Sequence, residues 1–141
     1  MRTTIALTLV LAAATVVAAE PGTGDLTVAA RGFESEKGTV LIDLANSAED
    51  YDDETGAFRF AEVKAKGGRA SAVFEDVPHG DYAVRIFHDE NDNKKIDMGW
   101  RGPTERYGFS NDARGLLGPP SYDAAKFTLD ATQYRIEIQV E

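Results

Sequence analysis

The chain has 141 residues, a formal charge of −9 at pH 7, 43% hydrophobic residues and no cysteine. This length and composition are typical of one globular domain with a single core, and the lack of cysteine excludes disulfides, zinc–thiolate sites and a thiol nucleophile. The acidic balance argues against a nucleic-acid partner, because tracking a phosphate backbone requires clustered Lys and Arg.

Residues 1–19 have the pattern of an export signal. Arg2 supplies the positive start, Ile5 to Val17 is an apolar run of the expected length, and Val17-Ala18-Ala19 fits a small-x-small cleavage site. The run is short for a bilayer span, so a cleaved signal is favoured over a retained anchor. We therefore expect residues 20–141 to form a single exported domain, periplasmic or extracellular, that does not span a membrane.

The rest of the chain alternates apolar and polar residues with a period of two, which predicts strands. The predicted strands are Leu26 to Ala30, Gly38 to Leu44, Ala61 to Ala65, Ala70 to Phe74, Asp81 to Asp89, Phe127 to Leu129 and Gln133 to Val140. Because Asp81 to Asp89 is apolar on much of both faces, we expect it to be central. About seven short strands and no long helix predict an all-β, antiparallel two-sheet sandwich.

Three connecting segments have their own signals. Lys66-Gly67-Gly68-Arg69 fits a two-residue hairpin turn, and Ser121 is placed to cap a short helical turn. Asn46 to Thr55 is acidic and is expected to be a solvated crossover. The hairpin turn predicts three cross-strand pairs, namely Ala65 with Ala70, Val63 with Ala72, and Ala61 with Phe74.

The long polar segment 89–120 is predicted to be an irregular loop, and it begins with a candidate metal site. Oxygen-bearing side chains fall at relative positions 1, 3, 5 and 9 of a run that starts at Asp89. Calcium takes about 6–8 oxygen ligands, and such loops use a backbone carbonyl at position 7. The predicted calcium ligands are Asp89, Asn91, Asn93, the backbone carbonyl of Lys95, and Asp97.

Two positions depart from the usual calcium loop. Lys94 stands at position 6, where glycine eases the bend, and Trp100 stands at position 12, where a bidentate Glu closes the site. Glu105 or Asp112 can supply the missing ligand. The alternative interpretation is an Asx-rich turn that is satisfied by its own backbone.

The following segment combines aromatic and arginine side chains, which dominate binding hot spots. These side chains are a candidate surface for a carbohydrate or another cell-envelope component. The favoured interpretation is that the aromatics anchor the loop on the sandwich while the arginines pair with nearby carboxylates. The candidate surface residues are Trp100, Arg101, Arg106, Tyr107 and Phe109.

Several of these segments are similar to known families. Asp76 to Val84 resembles the proline–glycine–x–tyrosine turn of transthyretin-like and carboxypeptidase-regulatory-like sandwiches, with His79 in place of a proline. Together with His88 to Asn91 and Tyr107 to Asn111, it makes the chain resemble domain-of-unknown-function family 2141, exported bacterial proteins, from Leu26 to Val140. The resemblance implies a small secreted β-sandwich and brings no established activity. The acidic loop is similar to calcium loops in the B-type repeats of bacterial surface adhesins.

We expect a non-catalytic binding or accessory domain with a calcium-ordered loop. One alternative is a carbohydrate- or envelope-binding module that uses Trp100 to Phe109. A second is a small hydrolase that uses His88 and Asp89. Gly108 to Asp112 lacks the second glycine of a nucleophile elbow, so an enzyme is not the favoured interpretation.

Overall fold

A computed structural model describes residues 21–53 and 56–141, so the predicted signal peptide at 1–19 lies outside the described residues. The described part contains ten strands and only short helices. In chain order these are β1 (Thr23–Arg31), β2 (Thr39–Ala45), α1 (Ala48–Asp52), β3 (Arg59–Val63), β4 (Arg69–Pro78), β5 (Gly80–Asp89), β6 (Met98–Gly99), β7 (Gly102–Pro103), β8 (Tyr107–Phe109), a 3₁₀ turn (Ser110–Asp112), α2 (Tyr122–Ala125), β9 (Phe127–Leu129) and β10 (Gln133–Gln139).

The strands form two principal sheets, which confirms the all-β sandwich. One has the order β10-β1-β4, and the other has the order β3-β2-β5-β8, with β9 pairing the start of β5. Most pairs are antiparallel, but β1 and β10 run parallel, with Val28 opposite Ile136. The ten strands exceed the predicted seven because the segment expected to be an irregular loop contributes β6, β7 and β8.

Period-two alternation places one apolar face of each sheet in a shared core. Leu26 and Val28 of β1 and Ile138 of β10 contribute from one sheet, and Ile42 and Ile86 contribute from the other. All five of these side chains are at most 1% exposed. Strand β5 is central in its sheet, as its two-sided apolar pattern predicts, with β2 on one side and β8 and β9 on the other.

The turn at residues 66–69 is present, but the predicted pairing beyond it is wrong. Lys66 and Arg69 exchange backbone hydrogen bonds of 2.7 and 3.1 Å across Gly67-Gly68. Strand β3 then pairs with β2, whereas β4 pairs with β1 in the other sheet. The apolar faces of β3 and β4 therefore contact each other across the core and not side by side in one sheet.

The acidic segment 46–55 contains a helix where a solvated crossover was predicted. Ser47 caps α1 by accepting the N–H of Asp50 at 3.1 Å, and Tyr51 is buried. Arg85 of β5 ties this segment down, donating to the carbonyl of Tyr51 at 2.6 Å and to that of Gly56 at 3.1 Å. Among the helices in the described part of the chain, none has the length and apolar character needed to cross a membrane.

Candidate functional site

Asp89 ends β5 and is fully buried at the start of the loop that continues to Asp97. Its Oδ1 accepts the backbone N–H of Asn93 at 3.0 Å, and its Oδ2 accepts that of Lys94 at 2.8 Å. Burying a carboxylate is costly unless it is hydrogen-bonded, because it loses its hydration. The loop therefore folds back over the strand end and supplies these donors.

The other predicted side-chain ligands form a hydrogen-bonded cluster beside Asp89. Asn91 Nδ2 donates to Asp97 Oδ2 at 2.5 Å, and Asn93 Nδ2 donates to Asp97 Oδ1 at 2.8 Å. The N–H of Asn93 is shared by Asp89 Oδ1 at 3.0 Å and Asn91 Oδ1 at 3.2 Å, which brings these two oxygens together. The four side chains are thus collected in one place, while metal binding remains a prediction.

The bend that gathers them occurs at Lys94, the position that is glycine in the usual calcium loop. Lys94 has φ 63° and Asp92 has φ 57°, both in the left-handed region, which costs a non-glycine residue about 1–2 kcal/mol. Two hydrogen bonds offset part of that cost. The backbone N–H of Lys94 donates to Asp89 Oδ2, and the Nζ of Lys94 donates to Glu62 Oε1 at 2.8 Å. The hydrogen bond to Glu62 also raises the pKa of Lys94.

Of the two candidates for the missing ligand, only Glu105 lies against the loop. Its Oε1 accepts the N–H of Glu90 at 3.0 Å, and its Oε2 accepts that of Asp97 at 3.0 Å. It is only 8% exposed. The carboxylate of Asp112 instead accepts the N–H of Gln139 in β10 at 2.8 Å.

The oxygen atoms that the loop offers to a cation belong to both amides and carboxylates. Lys95, whose carbonyl is the fifth predicted ligand, also donates its N–H to Asn93 Oδ1 at 2.8 Å. In the described ranges 21–53 and 56–141, no group of three or more His, Cys, Asp or Glu side chains is arranged to hold a metal ion. Any cation held here would therefore depend on the amide oxygens of Asn91 and Asn93 as well as on carboxylates.

The predicted aromatic surface divides into two parts. Trp100 is 86% exposed at the tip of the β6–β7 hairpin, and the Arg101 guanidinium lies 4.2 Å from the centroid of its ring. Tyr107 and Phe109 lie on one face of β8 with their rings 5.9 Å apart. Arg106 forms an ion pair with Glu34. The first part projects into solvent, whereas the second is part of the body of the sandwich.

A cleft of about 400 Å³ lies beside Tyr107 and Phe109. Its other lining residues include Arg31, Asp112 and Arg114. Sequence reasoning did not assign a cleft to this place, because Arg31 is far away in sequence and reaches it only through the parallel β1–β10 pairing. Both arginines already bind carboxylates, Arg31 with Glu137 and Arg114 with Glu141.

The histidine proposed for a hydrolase is enclosed in the core. His88 has no exposed surface, and its Nε2 lies 2.6 Å from the carbonyl of Lys37. Its ring packs edge-on against Phe33, with 5.2 Å between the centroids. Nδ1 lies 3.7 Å from Glu90 Oε1. This environment offers a substrate no approach to the imidazole, so the geometry does not favour catalysis at His88.

Comparison with known protein families finds a match over most of the chain. A family model described as "uncharacterized protein conserved in bacteria (DUF2141)" matches residues 28–137. This match covers most of both sheets, the 89–97 loop and the β6–β7 hairpin. No curated protein and no solved structure matches the chain.

Proposed function

The chain belongs to the bacterial family DUF2141, whose description assigns no activity, and we propose that it is an exported, non-catalytic accessory domain with a calcium-ordered loop. The observation that carries this proposal is the convergence of four oxygen-bearing side chains on one bend. They are Asp89, Asn91, Asn93 and Asp97. Calcium is the hard cation that prefers such an oxygen set in a flexible arrangement.

Electrostatics supports the same proposal. Three carboxylates, those of Asp89, Asp97 and Glu105, accept their hydrogen bonds within this one loop. Two amide N–H groups, from Asn91 and Asn93, are the side-chain donors to Asp97. These neutral dipoles offset carboxylate repulsion only partly, whereas a divalent cation would do so directly.

The loop is joined to the exposed hairpin, which suggests what the cation would control. The carbonyl of Asp97 accepts the N–H of Thr104 at 2.8 Å and its hydroxyl at 3.2 Å. Thr104 follows β7, so the last oxygen ligand of the loop is bonded to the base of the hairpin that carries Trp100. A cation that fixes Asp97 would therefore fix the orientation of the Trp100 tip.

Thermal unfolding tests the calcium proposal. For a Kd in the millimolar range of extracellular modules, calcium at about ten times Kd stabilises the folded state by about 1.4 kcal/mol, or about 5 °C in Tm. Magnesium at equal ionic strength should give a much smaller shift, because it requires a rigid octahedral site.

The matched variants are Asp97→Asn and Asp92→Asn, which remove the same charge from the same loop. Asp92 instead accepts the Thr39 hydroxyl at 2.6 Å. Asp97→Asn should abolish most of the calcium shift, and Asp92→Asn should keep it. Equal shifts with calcium and magnesium, or a full shift in Asp97→Asn, would contradict the proposal.

Two finer assignments belong to the same proposal. We propose that the sandwich is of the transthyretin-like kind, on the strength of the Asp76 to Val84 turn, in which the Tyr82 hydroxyl donates to the carbonyl of Pro78 at 2.7 Å. We also propose that the protein is exported, on the strength of the apolar run at 5–17 and its cleavage pattern. Calcium is far more abundant outside the cytoplasm, which agrees with a low-affinity site.

A second candidate function is binding of a carbohydrate through the hairpin tip. The specific observation is the exposed Trp100 ring with Arg101 stacked on it at 4.2 Å, since aromatic faces and arginine dominate recognition surfaces. Glycan-array binding should be lost in Trp100→Ala and kept in Phe60→Ala, which removes another exposed ring, 70% accessible, from β3. Equal signals from both variants would exclude the tip.

A further inference from the structure

A shallow depression lies on the outer face of the three-stranded sheet, away from the 89–97 loop. Its volume is about 300 Å³. Ala29 of β1 and Ser71 of β4 are opposite each other in the register and form its small-residue floor. The charged residues that line it are Lys64, Lys66, Arg69, Arg135 and Glu137.

The charges around this depression are not balanced. Glu137, the carboxylate in the lining, already forms a 3.0 Å ion pair with Arg31. Lys64 Nζ is bound to the carbonyl of Gly38 and to Thr39 Oγ1. By contrast, the side chains of Lys66, Arg69 and Arg135 have no hydrogen-bond or ion-pair partner among residues 21–53 and 56–141. Three unpaired cations therefore surround one depression.

The strand register also places two arginines side by side on this face. Arg31 of β1 lies directly opposite Arg69 of β4, and both project from the exposed face. Like charges directly opposite each other destabilise an antiparallel pair. Glu137 compensates the charge of Arg31, so Arg69 remains the uncompensated cation of this pair in a chain with 24 acidic and 15 basic residues. Local conflicts of this kind are expected at functional sites.

We propose that this depression, which we call the basic depression, binds a phosphate group. A guanidinium offers a planar fork of donors that matches phosphate oxygens, and an ammonium acts as a point charge beside them. A phosphate presents acceptor oxygens in several directions, which suits a lining whose cations stand on different strands, Arg69 on β4 and Arg135 on β10. A carboxylate presents two oxygens in one plane and reaches fewer of these donors.

Two sources can present this chemistry, a free phosphate compound and a phospholipid headgroup. The inference does not depend on the calcium loop, whose residues lie outside the basic depression. Inorganic pyrophosphate serves as the first probe, and vesicles of phosphatidylcholine with phosphatidylglycerol serve as the second. Calcium is removed beforehand on a chelating resin, because a soluble chelator is itself a polyanion and would compete for the site.

Calorimetric titration with pyrophosphate at low ionic strength compares the wild type with two double variants. Arg69→Gln with Arg135→Gln removes two exposed cations of the basic depression. Arg114→Gln with Lys126→Gln removes two cations that lie outside the basic depression, so that the net charge is the same. We expect Kd to rise at least about tenfold in the first variant, from the loss of two charge-assisted bonds, and by less than about twofold in the second.

Chemical shifts of the backbone amides, measured by NMR, show where the probe binds. On addition of pyrophosphate, the amides of Ala29 and Ser71 should shift in the wild type and remain unchanged in the depression variant. If vesicles bind through these same residues and pyrophosphate does not, the headgroup is the source and the proposal stands. Equal affinity in both double variants, or no binding of either probe at about 10 mM phosphate, where even weak sites fill, would overturn it.

Discussion

At the scale of single residues, Tyr51 has an unusual position for a polar side chain. It is 3% exposed, and among the described residues its hydroxyl has no hydrogen-bond partner. Burial raises the pKa of Tyr51 to about 12, because the phenolate would lose its hydration. Its ring packs favourably against Phe109 and Tyr122, so the free-energy penalty of burial comes from the unpaired hydroxyl alone.

Tyr51→Phe should therefore leave the free energy of unfolding at pH 7 unchanged or raise it by up to about 1 kcal/mol, since it removes only an unpaired hydroxyl. Tyr82→Phe is the control, because the hydroxyl of Tyr82 donates to Pro78 at 2.7 Å; its loss should cost about 1 kcal/mol. Urea denaturation measures both. A cost above about 1 kcal/mol in Tyr51→Phe would reveal a partner for its hydroxyl.

The raised pKa of Tyr51 also fixes the sign of a pH dependence. Between the unfolded value of about 10 and the folded value of about 12, the folded chain binds more protons than the unfolded chain. The contribution of Tyr51 to the free energy of unfolding is therefore fully present below about pH 10 and declines as the pH rises toward 12. Tyr51→Phe should make this decline shallower, though not remove it, because burial also raises the pKa of Tyr82 and Tyr122.

At the scale of elements, local backbone conformation determines the turn between β3 and β4, whereas tertiary contacts determine which strands β3 and β4 pair with. Gly67 and Gly68 have φ of 57° and 74°, and a Cβ on Gly67 would meet nothing within 4 Å. Gly67→Ala should thus lower the free energy of unfolding by about 1 kcal/mol, a purely conformational cost.

Gly118 provides the matched control for that substitution. A Cβ there also meets nothing within 4 Å, but its φ lies outside the left-handed region. Gly118→Ala should be neutral or slightly stabilising, by up to about 1 kcal/mol, because it restricts the unfolded chain. If thermal or urea unfolding shows equal losses in both variants, the explanation by backbone conformation is wrong.

The same turn shows how far sequence reasoning reaches. Glycine pairs, a capping serine and alternation are local signals, so they located the turn at 66–69, the cap at Ser121 and the last strand, which was predicted to end at Val140 and ends at Gln139. Which strand pairs with which depends on contacts across the core, and no local signal carries that information. The divergence of β3 and β4, and the parallel pairing of β1 with β10, therefore could not be predicted.

The candidate site follows the same division. The spacing from Asp89 to Asp97 is local, and the structure brings these side chains together as the spacing predicts. Separation of the aromatic surface into a free Trp100 and a packed Tyr107–Phe109 pair depends on β8 joining β5. The basic depression likewise combines residues of β1, β4 and β10 that are remote in sequence, so it was visible only in three dimensions.

At the scale of the whole molecule, the sandwich presents charge of opposite sign at separate places. The 89–97 loop gathers carboxylates at the end of the central strand β5, whereas the outer face of the β10-β1-β4 sheet gathers unpaired cations. A rigid two-sheet core keeps the two regions apart. This separation is what the two proposals require of one scaffold, namely an acidic loop for a cation and a distant basic face for an anion.

The most direct measurement of the central claim is a crystal structure of residues 20–141 grown in millimolar calcium chloride. We predict an anomalous density peak with contacts of about 2.3–2.6 Å to the oxygens of Asp89, Asn91, Asn93 and Asp97, with Asn91 and Asn93 turned so that their Oδ1 atoms face the ion. A lysine ammonium or an ordinary water at that position, with the amides still donating to Asp97, would contradict the account.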